Sequence, residues 1–283
     1  MSPSQTSNQN KSYDGYKNTA IVVLTVICII LIVWLFVRKG GGTKIVTIQN
    51  PTASSSVPAN IQVVTKEVTS EDDSYTTDLQ EPTVSGLSTP AVTQYVNQQI
   101  ASTLDGLVED FKSQTSDIKI LSSSEKHSIT VDLAAYNDVA GKVLTFQFEN
   151  STYFSGAAHP LTVPATLNLD AVTGINLTLD SVFASSTNYL VPISNYVKQN
   201  LQQKLVTAAG VTADQADGIY FPQGADPTPD NYESFIVTDK GINFLFGQYQ
   251  VAPYESGEQQ VLVPYSFLKP YLNPLSPVAS LAH

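Results

Sequence analysis

A chain of 283 residues with 25 acidic and 14 basic side chains carries a formal net charge of −11. Beyond residue 44 the imbalance grows to nine lysines against 24 acids with no arginine, a net −15, which excludes nucleic acid and anionic lipid as ligands because phosphate binding needs clustered Lys or Arg. The single cysteine, Cys28, lies in an apolar run, so the folded part has no disulfide framework, catalytic thiol or Cys-ligated metal.

Residues 1–19 are polar and read as a short cytoplasmic tail. Residues 20–37 (Ala20 to Val37) follow without a charge. At roughly 1.5 Å per residue they reach about 27 Å, close to the ~30 Å hydrocarbon thickness of a bilayer. The run predicts a single transmembrane helix with Trp34 near one interface. It exceeds the 7–15 residues of a typical signal-peptide core, and no small-x-small cleavage site follows. Lys11 and Lys17 precede it, whereas Arg38, Lys39 and Lys44 follow, a bias that by itself favours the C-terminal part inside. Long domains translocate largely regardless of flanking charge, and the expected topology places the C-terminal part outside the cytoplasm. Residues 38–60, with Gly40, Gly41 and Gly42 and then a Pro/Ser/Thr stretch, read as a flexible stalk.

The folded part is expected from Ile61. Ile61 to Val68 alternates as a strand, with Ser74 to Leu79 returning as its partner. Thr89 then Pro90 supply an N-cap and a first-turn proline, and Val92, Val96, Ile100, Leu104, Leu107 and Phe111 form the apolar stripe of a surface helix. Ser128 to Tyr136 and Val143 to Phe148 read as strands around a turn at Asn137 to Gly141. Leu161 to Leu169 alternates again, and the turn Asp170 to Gly174 leads into Ile175, Leu177 and Leu179, which predicts another hairpin. A second helix fits Tyr189 to Val206, with Leu190, Ile193, Val197, Leu201 and Leu205 on one side and Gly210 as its stop. Phe235 to Thr238 and Ile242 to Phe246 flank an Asp239-Lys240-Gly241 turn. The fold class expected is α+β, a largely antiparallel sheet with two main amphipathic helices.

Landmarks gather toward the C-terminus: Phe235 to Phe244, then Tyr249-Gln-Val-Ala-Pro253-Tyr254-Glu-Ser-Gly257, then Val261 to Tyr265 and Leu268. With Phe154-Ser-Gly156-Ala-Ala-His159-Pro160, this set resembles the extracellular domain of RsiV-type anti-sigma factors, a unit also found ahead of the catalytic domain of PdaC-type peptidoglycan deacetylases. The resemblance covers residues 61–272. It implies an extracytoplasmic domain on one membrane helix and, as in the RsiV type, lysozyme as ligand. Two departures limit it. Residues 1–19 are too short for an anti-sigma helical domain, so no sigma-regulating role is implied, and the sequence ends in a Pro-containing tail rather than a deacetylase domain. Ala157 also replaces the second glycine of the family's Gly-Gly-Ala-His run.

Ligand-binding candidates are therefore Gly156, His159, Pro160, Tyr249, Pro253, Tyr254, Gly257 and Tyr265. Tyr249 and Tyr254 offer the broad amphipathic surface enriched at interfaces, Pro253 ends or bulges a strand, and Gly257 permits a tight turn. The competing assignment packs both tyrosines under the sheet. No His-Glu-x-x-His, Gly-x-Ser-x-Gly or phosphate loop occurs, so no catalytic residue, metal or cofactor is expected. Asp226, Asp230, Asn231 and Glu233 lack an EF-hand register and read as a solvated loop rather than a calcium site. Asn10, Asn150 and Asn176 match Asn-x-Ser/Thr by pattern only.

The expected organisation is a tail (1–19), membrane helix (20–37), stalk (38–60), an N-terminal half (61–155), a C-terminal half (156–272) and a tail (273–283). The expected role is a non-enzymatic, membrane-anchored, extracytoplasmic binding or sensor module of the bacterial envelope. Its partner would be a cationic protein such as lysozyme, or the cell-wall polymer. A cell-wall hydrolase or deacetylase accessory built around His159, or a purely structural surface protein, are the alternatives.

Overall fold

The computed structural model describes residues 43–46, 61–121 and 125–282. The apolar run at residues 20–37 lies outside them. Among the described residues no helix is long and apolar enough to cross a membrane.

Six strands form one sheet in chain order: β1 (Thr43–Val46), β2 (Gln62–Glu71), β3 (Tyr75–Ser85), β4 (His127–Val139), β5 (Val143–Tyr153) and β6 (Leu161–Asp170). All neighbours run antiparallel except β3 and β4, which are parallel because the helix α1 (Pro90–Thr115) carries the chain across between them. The side chain of Thr89 caps α1 by accepting the Val92 N–H, with Pro90 at the first helical position. Val96, Ile100, Leu104 and Phe111 come round at four- and seven-residue steps, and each is fully buried against Ile129, Val131, Phe146 and Phe148 of the sheet.

The second unit is a three-stranded sheet, β7 (Phe235–Val237), β8 (Gly241–Phe246) and β9 (Gln259–Pro264), covered by α3 (Leu190–Ala209). Gly210, at φ 68°, stops α3 in the left-handed conformation that glycine adopts without strain. Ile193, Val197 and Leu201 of α3 meet Phe244, Phe246, Val261 and Val263 in a second core. Two one-turn helices, α2 (Leu179–Val182) and α4 (Tyr265–Leu268), bring the α-helices among the described residues to four and complete a largely antiparallel α+β fold.

Four expectations need correction. Thr43–Val46, inside the supposed stalk, pairs with Thr65–Val68 as an edge strand; its Thr, Ile and Val have the branched side chains that favour extended backbone. Ile175 to Leu179 is not a strand: it makes one bridge, Asn176 to Leu169, after which Leu177 and Leu179 turn into the second core and α2 begins. The boundary placed after residue 155 falls inside the β5–β6 connection, because β6 pairs along its length with β5; the second core takes Val139 and Val143 from the β4–β5 turn as well as residues from Leu177 onward. Residues 273–282, expected as a tail, pack into the second unit: Val278 and Leu281 are buried in its core and Asn273 donates its N–H to the Val182 carbonyl.

The sheets are stitched by side chains. β7 presents its backbone to the β6 edge, where Asn168 donates to the Phe235 carbonyl (2.7 Å) and accepts the Val237 N–H (3.2 Å). Thr166 Oγ1 accepts the Phe235 N–H, and Ser234 Oγ donates to the Pro164 carbonyl.

Candidate functional site

Beyond the stitched strands, the seam between the two units continues into two loops. The first, Phe154 to Pro160, joins β5 to β6. The second, Gly247 to Glu258, joins β8 to β9. A backbone bond from Gln248 N–H to the Thr162 carbonyl (3.2 Å) and a return bond from Thr162 N–H to Gln248 Oε1 (2.8 Å) hold them side by side.

Across this junction three aromatic side chains meet. The His159 ring stacks on Tyr254 with centroids 3.8 Å apart, Tyr249 lies 6.3 Å from His159 at 23°, and the two tyrosines are 5.7 Å apart. The Tyr249 hydroxyl is 3.4 Å from His159 Nε2, while His159 Nδ1 faces the Pro160 carbonyl at 3.0 Å. Tyr249 is 51% exposed and Tyr254 is half-buried, so neither packs under the sheet as the competing assignment required.

Tyr249 is also strained. The Gln250 N–H bonds back to the Gly247 carbonyl, and Tyr249, third residue of that turn, has φ 65°. That position favours glycine, and a bulky residue there costs on the order of 1–3 kcal/mol. Gln250 enforces the turn: its Oε1 accepts the Gly247 N–H, and its Nε2 donates to the carbonyls of Gly224 and Asn231. Tyr249→Gly should therefore leave the melting temperature unchanged or raise it, although a large side chain is lost. A clear fall in thermal midpoint would mean that Tyr249 is held for packing.

The other expected residues shape these loops. Pro253 precedes a single 3₁₀ turn, Tyr254–Ser256, rather than interrupting a strand, because β8 has already ended at Phe246. Gly257 closes that turn at φ 65°, ψ −163°, a region essentially reserved for glycine. Gly156 has φ 84°, and a Cβ there would lie 2.5 Å from Leu121 Cδ1. Pro160 is exposed beside His159. Tyr265 is the exception: it is buried, its hydroxyl donates to the Thr238 carbonyl (2.8 Å), and burial pushes that hydroxyl well above the usual phenol range. It is a core residue, because the inward face of β9 continues into α4.

Sequence reasoning missed the supports. His127, 1% exposed, accepts the Ser155 N–H at Nδ1 (2.9 Å), so Nε2 carries the proton and donates to the Ile118 carbonyl (3.2 Å). One imidazole thereby ties the α1–β4 linker to the site loop. The lone sign of this in the sequence was a histidine at the head of an alternating strand.

Among the described residues no group of three or more His, Cys, Asp or Glu is arranged to hold a metal. Asp226, in the acidic loop, is already paired with Lys198 at 2.5 Å, and Asn231 Nδ2 donates to the Asp226 and Gln223 carbonyls. The His159 ring nitrogens meet a carbonyl and a phenol rather than a carboxylate among the described residues.

Fold and site define an α+β module with an exposed aromatic cluster on the seam of two sheets. Residues 68–162 match a family described as Deacetylase PdaC, and residues 180–266 match one described as a protein of unknown function, DUF3298. His159 comes from the first stretch, and Tyr249 and Tyr254 from the second. The chain is similar to the peptidoglycan-N-acetylmuramic acid deacetylase PdaC of Bacillus subtilis, 23% identical over 89% of the chain and 50% of that protein. It is also similar to an esterase of Mycobacterium tuberculosis, 29% identical over 41% of the chain and 46% of that protein. The chain thus spans about half the length of the curated relatives it matches. A crystal structure of a DUF3298 family member from Bacteroides fragilis shares the fold, with a TM-score of 0.54 at 16% identity, covering 78% of this chain and 97% of that one.

Proposed function

We propose that this chain is a membrane-anchored, extracytoplasmic binding or sensor module of the bacterial envelope, and that the His159–Tyr249–Tyr254 cluster is where it holds its ligand. The observation that carries this reading is the strained, half-exposed Tyr249 stacked beside His159 and Tyr254. Backbone strain persists where the surroundings enforce it and clusters at ligand-binding sites, and tyrosine gives large contact area at low conformational cost. The two matched stretches support an envelope role, and the position of the cluster on their seam supports a use that needs both.

The ligand that fits best is a cationic protein such as lysozyme. An acidic surface steers a basic partner but does not fix it; the aromatic cluster supplies the short-range hold. The cell-wall polymer is the other ligand that the likeness to a peptidoglycan deacetylase brings forward.

Binding of lysozyme across a salt series tests the reading. Association should slow as salt screens charges beyond a Debye length of about 8 Å at 0.15 M. Tyr254→Ala should speed dissociation by about 1–3 kcal/mol and leave the salt dependence of association nearly unchanged. No binding at any salt removes lysozyme as the ligand, and a variant that loses binding together with its thermal midpoint returns Tyr254 to a packing role.

A further inference from the structure

We propose that Ile118 and Leu121, in the segment that follows α1, form the apolar flank of the same face, so that a basic protein docks across them and the aromatic cluster together. This rests on the binding role given above to His159, Tyr249 and Tyr254, and adds a chain segment that lies outside both loops.

Leu121 is 68% exposed and Ile118 41% exposed. Single exposed apolar residues are ordinary on a protein surface, and exposure alone would carry nothing. What distinguishes these two is where their backbone is fastened. Leu121 donates its N–H to Ser155 Oγ (3.0 Å), and its Cδ1 occupies the space over Gly156 that any side chain there would fill. The Ile118 carbonyl accepts from His127, which also receives the Ser155 N–H. Both ends of the short segment are thus tied to the loop that carries His159. The side chains nevertheless stay in water, with the ordering of their backbone already accomplished before any partner arrives.

Distance makes the two parts one surface. Gly156 and His159 are three residues apart, a separation of no more than about 11 Å even for extended chain. A standard interface covers about 800 Å² on each partner, wide enough to take in both.

The charge around the cluster selects the partner. Glu255 is exposed beside Tyr254, and Glu258, next along, has a buried Oε1 with no hydrogen-bond partner among the described residues. Burial and the nearby charge of Glu149 push the Glu258 carboxyl above its usual range. A lysine or arginine from a basic protein would be drawn to the exposed Glu255 carboxylate, whereas an anionic polymer would be repelled by it.

The test measures lysozyme binding by the full-length chain carrying Leu121→Ser, Leu121→Met or Tyr254→Ala. Losing the buried leucine contact should raise Kd about tenfold or more, and Leu121→Met, which keeps the apolar surface, should restore most of it. Weakening by Tyr254→Ala with wild-type binding by Leu121→Ser would overturn the linker's part and leave the cluster standing. No binding by the wild type would overturn both. If Leu121→Ser lowers the melting temperature and Leu121→Met does not recover binding, Leu121 only props the loop and the contact is wrong. If Leu121→Ser instead reduces sedimentation with purified peptidoglycan and leaves lysozyme binding intact, the partner class is wrong.

Discussion

Asn168→Ala should destabilise the protein by about 2–5 kcal/mol and separate the unfolding of its two sheets. Asn168 is 2% exposed, and its amide bonds both the Phe235 carbonyl and the Val237 N–H. β7 has only three residues, pairs by backbone with β8, and meets β6 through side chains. Alanine leaves one carbonyl and one N–H without their partner, each costing about 1–3 kcal/mol when buried. Urea unfolding followed by two probes, one in each unit, checks this. Coincident transitions with a midpoint shift worth less than about 0.5 kcal/mol would mean that the seam is held by apolar packing instead. Asn168→Asp sharpens the result, because a carboxylate can accept from Val237 but cannot donate to Phe235.

Asp110→Asn should stabilise the protein by about 1–3 kcal/mol at pH 8 and have little effect at pH 4. Asp110 lies near the end of α1 at 7% exposure, and its Oδ1 has no partner among the described residues. Burial, with a smaller contribution from the charge of Glu109, pushes its carboxyl from 3.8 up to about 7. The folded state therefore holds a proton that the unfolded chain releases at lower pH. Stability from this group is highest below about pH 4, is lost as pH rises to about 7, and stays lost above it. At 1.36 kcal/mol for each pH unit the loss has an upper bound of ~4 kcal/mol, and the asparagine, still polar and buried, recovers only part. Thermal unfolding of both proteins from pH 4 to pH 8 reads the difference directly. Parallel curves would show that Asp110 finds a compensating donor.

These two residues bear on function in different ways. Asn168 holds the seam on which His159 meets Tyr249 and Tyr254, so its loss should weaken ligand binding together with stability. Asp110 makes none of the seam hydrogen bonds described above, and its replacement should change stability alone. Gln250 acts locally: with Gly224, where a Cβ would run into the Gln250 carbonyl, it fixes the turn that lifts Tyr249 out of the fold.

Periodicity and punctuation determined the regular elements of this chain. Thr89 and Pro90 marked the start of α1, Gly210 the end of α3, and the apolar steps of Val96, Ile100 and Leu104 or Ile193, Val197 and Leu201 marked the buried faces. The alternation of β2 to β6 was likewise visible, because a strand with one buried face must repeat every second residue. Such patterns say which side of an element is covered but not by what. Tyr265 and Tyr254 therefore looked alike in the sequence, although one is buried behind β9 and the other stands on a 3₁₀ turn beside His159. The apolar alternation at Ile175 to Leu179 resembled a strand until the second core took up Leu177 and Leu179. Likewise, nothing local joins His159 to Tyr249 across ninety positions. That meeting depends on Thr162 pairing with Gln248 and on Asn168 spanning two sheets, hydrogen bonds between distant segments that only the folded chain brings within reach.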